Sequence, residues 1–488
     1  MSKILFSHSY FMRFDPKQWA TGQPYPPIGC LYAVSMMRNL GHEVSFMDTM
    51  FAFGPEEIIL PLQQNQPDYF IIYDDGFNYL TKMCLTNMRE AAFEMMKFAK
   101  QKGCTVLVAS SDANDHFEKY LEEGADFILL GEAEQTLVEL ISNLNNGNTD
   151  FLTIPGIAFK QKEAIVRTAK RSVMKNLDEL PFPAWDLVDM DAYRKIWVKH
   201  KGYFSLNMAT TRGCPFKCNW CAKPIYGNRY NTRSASHVVA ELKMLKEQYA
   251  FDHIWFCDDI FGLKPGWVRE FADLIEKEGL QFHFKIQARV DLMLQENYIA
   301  DLARAGCNNV WMGAESGSQK ILDAMDKGTT VQQIFQATAL LKKNGINPSF
   351  FIQFGYPGET REDIRKTIDM INQLLPYELG VSVAYPLPGT IFYEKVKTQL
   401  REKSNWTDSD ELALMFRNSF APAYYKQLHR YVHKNYQKHL SIQIVKQLLA
   451  KPARTSLHKI RKAFSLLYYV PASWLAGLRL KKLDFYNK

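Results

Sequence analysis

Twice along this chain, apolar runs of strand length alternate with longer stretches of helical periodicity, and that alternation restricts the fold to a parallel α/β architecture. The first series comprises Ile4–Ser7, Val44–Asp48, Tyr69–Tyr73, Thr105–Ala109 and Phe127–Leu130, separated by helical patterns such as Ile28–Leu40, Met88–Lys102 and Thr136–Leu144. Ligands of open parallel sheets sit at the carboxyl ends of the strands. Here those ends are Asp48-Thr49, Asp74-Asp75-Gly76, Ser110-Ser111-Asp112 and Gly131-Glu132, which are rich in Gly, Asp and Ser, as ordinary turns also are.

The second series runs through Phe204–Thr210, His253–Cys257, Phe282–Gln287, Asn309–Gly313, Asn347–Phe354 and Glu378–Ala384, each followed by a helical stretch. Successive βα units with right-handed crossovers predict a partial barrel open at one side, with its chemistry at the carboxyl ends of the strands. Between the two series the alternation lapses into a hairpin-like segment (Gly156–Phe159, then Ala164–Arg167) and Leu180-Pro-Phe-Pro-Ala-Trp185, which reads as a linker. The expected organisation is an α/β chain: a Rossmann-like doubly wound sheet over 1–145, a linker over 146–200, a partial barrel over 201–410 and a helical basic region over 411–488. A length of 488 residues with 47% hydrophobic and 23% charged side chains supports several cores and excludes large-scale disorder.

Eight cysteines are too sparse for a disulfide framework, and the first residues lack the apolar core of a secretory leader, so a reducing cytoplasmic setting is expected. Cys30, Cys84, Cys104, Cys257 and Cys307 are scattered and read as small buried hydrophobes. The other three form Cys214-Pro-Phe-Lys-Cys218-Asn-Trp-Cys221 on a loop after the first barrel strand. A zinc site would call for four ligands in two pairs, and a four-cysteine cluster for another thiolate close by; neither is evident. Three thiolates holding three corners of one iron–sulfur assembly leave one iron open to a substrate or cofactor.

This spacing, with Trp220 just before the third cysteine, resembles the signature of the radical S-adenosylmethionine (SAM) superfamily. The resemblance implies that Cys214, Cys218 and Cys221 ligate a [4Fe–4S] cluster whose open iron chelates SAM. An electron from the cluster, supplied by an external donor such as flavodoxin or ferredoxin, then cleaves SAM to methionine and a 5′-deoxyadenosyl radical. Phe256-Cys-Asp258-Asp259, Gln287-Ala-Arg289, Gly313-Ala-Glu315-Ser316-Gly, Gln353-Phe-Gly-Tyr-Pro-Gly358-Glu-Thr360 and Tyr385-Pro-Leu-Pro-Gly389-Thr resemble motifs at later strands of the family. By that resemblance Glu315 and Asp258 or Asp259 help hold polar groups of SAM, with Arg289, Ser316 and Trp220 beside them.

The order of Rossmann-like domain, Pro-rich linker and barrel resembles the cobalamin-binding class of that superfamily, over roughly residues 1–425. Pro26-Pro-Ile-Gly29, Gly41-His-Glu-Val-Ser-Phe-Met-Asp48, Gly131-Glu-Ala-Glu-Gln-Thr-Leu137 and Leu180-Pro-Phe-Pro-Ala-Trp-Asp186 carry this likeness. It implies cobalamin at the strand-end loops, with Asp74, Ser110, Gly131 and Glu132 as candidate contacts. One departure is plain: the Asp-x-His-x-x-Gly string that gives cobalt a histidine in several cobalamin proteins is absent, and Asp115-His116-Phe-Glu is not it. Members of the class often bind cobalamin without that histidine, and some relatives have lost cobalamin. The implied activity is cobalamin-dependent methylation of an unactivated carbon on a small-molecule or lipid-like substrate. The alternatives are a cobalamin-independent enzyme forming a ring or a C–C bond, and a non-catalytic iron–sulfur or cobalamin sensor. A methylthiotransferase would need three further cluster cysteines in the first domain, where Cys30, Cys84 and Cys104 are unevenly placed.

The net charge of +7 is concentrated at the end: residues 451–488 contain nine Lys or Arg and one Asp. Within them an uncharged stretch, Ala463–Leu478, is shorter than the ~20 residues that span a bilayer, and Pro471 is expected to interrupt it. With Trp, Tyr, Lys and Arg it suits either the surface of an anionic membrane or a terminal helix packed on the barrel. No recognised nucleic-acid module accompanies the charge, so a nucleic-acid partner is not expected. The histidines of Tyr424–Tyr436 read as a solvated basic helix face.

Overall fold

The computed structural model describes residues 1–77, 86–221, 223, 225–400, 416, 418–450 and 456–485, so Cys84 lies outside the described residues. The first sheet has the order β2-β1-β3-β4-β5-β6-β7. Its strands β1 (Lys3–Ser7), β2 (Glu43–Met47), β3 (Tyr69–Tyr73), β4 (Thr105–Ala109) and β5 (Phe127–Leu129) run parallel. Buried runs such as Tyr-Phe-Ile-Ile-Tyr in β3 are what a strand covered on both faces requires. Helices α1 (Ile28–Asn39), α2 (Thr86–Gln101) and α3 (Glu134–Asn145) lie against this sheet.

The hairpin expected in the linker belongs to this sheet. Strand β6 (Ile157–Gln161) pairs antiparallel with β5, and β7 (Ala164–Arg167) pairs with β6. The boundary expected at residue 145 therefore falls inside the sheet's own chain path. Its cause is the three apolar residues Ile157, Ala158 and Phe159, all buried, which extend the sheet past its last parallel strand.

The second sheet, order β15-β14-β13-β12-β11-β8, is all parallel. Its strands are β8 (Ser205–Met208), β11 (His253–Phe256), β12 (His283–Ala288), β13 (Cys307–Glu315), β14 (Asn347–Phe354) and β15 (Leu379–Val383). A short ribbon of β9 (Thr211–Arg212) and β10 (Asn231–Thr232) brackets the cysteine loop. Six strands make a half-barrel, as the sequence predicts. Alternation along the strands divides the two faces: Phe284, Ile286, Val310, Met312, Phe350 and Ile352 are buried, while Lys285, Gln287, Trp311 and Gly313 are only partly buried on the concave side. Two of the intervening helices are capped by their own side chains: Thr330 with Gln333 and Thr360 with Asp363 form reciprocal capping boxes at Val331–Lys343 and Arg361–Leu374.

The chain ends in three helices, which we number α4 (Pro422–Ala450), α5 (Leu457–Phe464) and α6 (Leu466–Phe485). Pro471 does not interrupt the last of these. It lies in the second turn, where it removes one backbone bond near a terminus, and the helix is held by packing on α4.

Candidate active site

The cysteine loop is fixed from several directions. Asp258, at the carboxyl end of β11, accepts hydrogen bonds from the Thr210 and Thr211 amides and from Thr210 Oγ1, all at 2.7 Å. Burial pushes its carboxyl up to about 6, against those three donors. Asp258 thus braces the strand that leads into the loop. On the far side, Asn219 donates through Nδ2 to Ala324 O and Asp326 Oδ2, both at 2.8 Å, and accepts from Tyr356 OH at 2.7 Å. Gly213 is required just before Cys214: its φ is +78°, and a Cβ would stand 2.5 Å from Arg229 O.

Cys214, Cys218 and Cys221 lie together on this loop, partly buried and not disulfide-bonded. Burial, then Asp259, pushes the Cys221 thiol up to about 12, and burial also raises Cys214. A bound cation would favour the thiolate forms of these two residues. Among the described residues no group of three or more His, Cys, Asp or Glu side chains is already drawn together as a metal cage. The three soft donors nonetheless fit iron–sulfur ligation, and cations stand beside them. Arg289 Nη1 is 4.0 Å from Cys218 Sγ, its guanidinium lies 3.7 Å over the Phe216 ring, and Asp291 holds it at 3.0 Å.

Glu315 ends β13 with φ +56°, a left-handed conformation that a non-glycine residue adopts only when its surroundings hold it. Its partner is Lys327, whose Nζ is 2.8 Å from Glu315 Oε1; both side chains are less than one-tenth exposed. Burial opposes the charge on Lys327, but Glu315 and Cys218 hold its pKa above the ordinary value. Its Nζ also lies 5.9 Å over the Trp220 ring. Lys327 was not legible in the sequence, where it is one basic residue in an Asp326-Lys327-Gly328 turn. Ser316 faces away from this pair and joins the loop to the Arg361–Leu374 helix through Thr367, 3.1 Å from its Oγ. Asp259 is exposed at the rim, within electrostatic reach of Cys214 and Cys221.

Trp220 Nε1, a donor, and Gln353 Oε1, an acceptor at the end of β14, are buried without a hydrogen-bonding partner among the described residues. Orphaned groups of this kind are costly in a closed protein and are satisfied by a polar ligand.

The carboxyl end of the first sheet faces the cysteine loop. Arg212 of β9 reaches Glu132 at 2.5 Å and Glu134 at 2.6 Å, with all three side chains nearly inaccessible. A Cβ on Gly76 would stand 2.7 Å from Ile225, in the stretch that follows the cysteines. The candidate cobalamin contacts are consequently already engaged. Glu132 is paired with Arg212 and accepts from the Met174 amide. Asp74 accepts from the Ser9 amide at 2.7 Å and from its hydroxyl at 2.8 Å, while Ser110 Oγ caps the Ser111–Asp115 helix through the Ala113 amide. Gly131, with φ +74°, gives its amide to Asn114 Oδ1 and lines a cavity of about 80 Å³ with Asn114 and Gly156. The sequence did not disclose the dyad of buried His8 and partly buried Asp48, 2.8 Å apart, with Tyr193 OH 2.7 Å from Asp48.

The three-cysteine loop at the carboxyl end of a parallel half-barrel is matched by family: residues 208–371 fit the Radical SAM superfamily. The chain is an enzyme that carries a radical SAM domain over those residues, and its fold is similar to that of cobalamin-dependent SAM radical enzymes. The structure of OxsB, a cobalamin-dependent SAM radical enzyme with aqua-cobalamin and S-adenosylmethionine bound, aligns with a TM-score of 0.73 at 16% identity, covering 97% of this chain and 72% of that one. An uncharacterized methyltransferase of Pyrococcus horikoshii is 29% identical over 394 residues, 79% of this chain and 82% of its own. Hopanoid C-3 methylase of Methylococcus capsulatus is 24% identical over 425 residues, 85% of this chain and 77% of its own.

Proposed function

We propose that this chain is a radical SAM methyltransferase that uses cobalamin to methylate an unactivated carbon of a small, largely apolar substrate. The observation that carries the reading is the set of groups around the cysteine loop: three thiol donors, a buried Lys327–Glu315 pair, and the orphaned Trp220 and Gln353 atoms. Cys214, Cys218 and Cys221 would hold a [4Fe–4S] cluster. Bound there, the cluster would supply the electron, received from a flavodoxin- or ferredoxin-like donor, for cleavage of SAM to methionine and a 5′-deoxyadenosyl radical. Lys327 and Arg289 place positive charge beside Cys218. Glu315, Trp220 Nε1 and Gln353 Oε1 would orient the polar groups of SAM; Asp258 and Ser316 position the strand ends that carry them.

The concave face below this site is walled by Trp255, Trp311 and Phe351, the last two stacked with centroids 4.6 Å apart. Lys285 lies 5.2 Å over the Trp255 ring, and burial pulls its ammonium down to about 8. Such a lumen suits an apolar body carrying an acidic group. The methyltransferase relatives and the fold shared with OxsB support cobalamin as the methyl carrier, held between the two sheets through the backbone of the strand-end loops. The engagement of Asp74, Ser110 and Glu132 with protein partners favours a second reading, a cobalamin-independent radical enzyme.

Metal content after anaerobic purification and reconstitution with iron, sulfide and hydroxocobalamin separates these readings. About four irons and one cobalt per chain, with SAM-dependent 5′-deoxyadenosine formation, are expected. Iron without retained cobalt would overturn the methylcobalamin reading, and loading without any SAM cleavage would overturn the radical reading as well.

A further inference from the structure

The last helix is built inside out. On α6 the small residues Ala472, Ser473, Ala476 and Gly477 face α4: Gln427 Nε2 donates to Ala476 O at 2.9 Å, and the Tyr431 ring comes within 3.2 Å of where a Gly477 Cβ would stand. The large apolar residues Leu467, Tyr468, Val470, Trp474, Leu475 and Leu478 face solvent, with Leu467 77% and Trp474 64% exposed. They recur at three- and four-residue spacing and form one continuous face. A helix of a globular protein ordinarily turns its large apolar residues to the core. A contiguous apolar face of this kind on the outside marks an interaction surface.

Charge identifies the partner. Arg461 and Lys462 close α5, next to exposed Phe464, and Arg479, Lys481 and Lys482 occupy the last turns of α6. Apolar side chains with Trp and Tyr, bordered at both ends by cations, match the headgroup region of an anionic bilayer, where aromatic rings partition at the interface and basic residues meet lipid phosphates. Among the described residues no helix is long and apolar enough to cross a membrane, so the match is to its surface. The face is also rigidly joined to the half-barrel: Tyr436 OH of α4 donates to Pro376 O at 2.6 Å, and Asn435 bonds Asn372 at 2.9 Å. Both contacts are to the βα unit that carries the edge strand β15.

We propose that α5 and α6 dock this enzyme on the surface of an anionic lipid bilayer, with Trp474 and Leu475 inserted among the headgroups. The inference is independent of which cofactor the barrel uses. The test is anaerobic co-sedimentation of the full chain with vesicles of equimolar phosphatidylglycerol and phosphatidylcholine, or of phosphatidylcholine alone. Binding to the anionic vesicles, its weakening by salt, and a loss of about tenfold or more in partitioning for Trp474→Glu with Leu475→Glu are expected. Lys481→Glu with Lys482→Glu should weaken binding while leaving the apolar face intact. Unchanged thermal melting and uncoupled SAM cleavage in both variants would show that the fold survives. No binding at low salt overturns the proposal. So does a concentration-dependent dimer, seen by sedimentation velocity and dispersed by Trp474→Glu, in place of vesicle binding; a second copy of the chain would then be the occupant.

Discussion

Replacing Arg212 by methionine should loosen the joint between the two halves of the molecule. Arg212 lies in the strand that leads to the cysteines, yet both of its ion-pair partners belong to the first sheet's Gly131-Glu132-Ala-Glu134 turn, and the exposures of the three side chains are 3%, 6% and 2%. The guanidinium also sits 5.3–5.8 Å from the ring centroids of Tyr32, Phe77 and Tyr226. One cation thus serves two buried carboxyls, and Glu134 Oε2 has no hydrogen-bonding partner among the described residues even with Arg212 present. Burial, partly offset by Arg212, already raises the Glu132 pKa. Removing one member of a buried ion pair costs ~3–5 kcal/mol because the remaining charge is stranded. Methionine keeps most of the contact with the three rings, so the loss is mainly electrostatic. A cost near ~4 kcal/mol corresponds to about a thousandfold increase in the opening of this interface. Amide hydrogen exchange across Tyr32, Phe77 and residues 131–134, together with urea unfolding, would read it. Adding Glu132→Gln and Glu134→Gln to Arg212→Met removes the stranded charges and should restore most of the loss. An Arg212→Met protein within ~1 kcal/mol of wild type, or a triple variant no better than the single one, would refute a dry ionic joint between the sheets.

Lys327→Met leaves Glu315 without its ammonium; SAM affinity measured by equilibrium dialysis should fall about tenfold or more, ~1.4 kcal/mol, while iron content is retained. Trp220→Phe removes a buried donor that has no hydrogen-bonding partner among the described residues. Its apo melting temperature should hold or rise while SAM binding weakens, since an unsatisfied buried group costs ~1–3 kcal/mol; a parallel fall in both would contradict the assignment. Glu359 is fully buried, and burial pushes its carboxyl from 4.5 up to about 8, with Gly355 N donating to it at 2.6 Å. The unfolded chain releases that proton at lower pH, so the group makes native stability fall as pH rises between these two values, by a few kcal/mol at most (~1.4 per pH unit). Glu359→Gln should flatten this part of the profile: it should melt like wild type near pH 5 and above it near pH 8.5, and equal pH profiles for the two proteins would refute the shift.

Fold was more legible than chemistry, and the reason is physical. Strand patterns are local, so the runs at Tyr69–Tyr73 and Asn347–Phe354 coincide with the strands observed. The hairpin at 157–167 was visible as a hairpin but not as part of a sheet, because pairing with β5 is a tertiary fact. Pro471 misled for the same reason: a local rule about proline was outweighed by packing of α6 on α4. At the site, the cysteines announced themselves through spacing. Lys327 did not, since its role comes from a fold that brings it to Glu315 and Trp220, and no spacing rule encodes that.

The strand-end loops show how a sequence motif and its contacts diverge. Glu132 and Asp74 stand where a ligand of an open sheet would be met, yet Glu132 is consumed by Arg212 and Asp74 by Ser9. Side chains at such ends serve two demands, recognition and closure of the molecule, and here closure takes the acids. Beside that joint, Gly76 and Gly131 bring backbone close to the segment after the cysteines, where a Cβ would meet Ile225 at 2.7 and 3.8 Å. A large planar cofactor held there would be recognised by shape and backbone, and a sequence reading that looks for polar side chains is blind to that. Substituting Gly131, with its φ of +74°, therefore tests the proposed cobalamin site better than substituting Glu132. Gly131→Val should abolish cobalt retention at unchanged iron content, whereas Glu132→Gln should chiefly loosen the joint to Arg212. Cobalt loss in Glu132→Gln alone, with Gly131→Val fully loaded, would reverse the assignment.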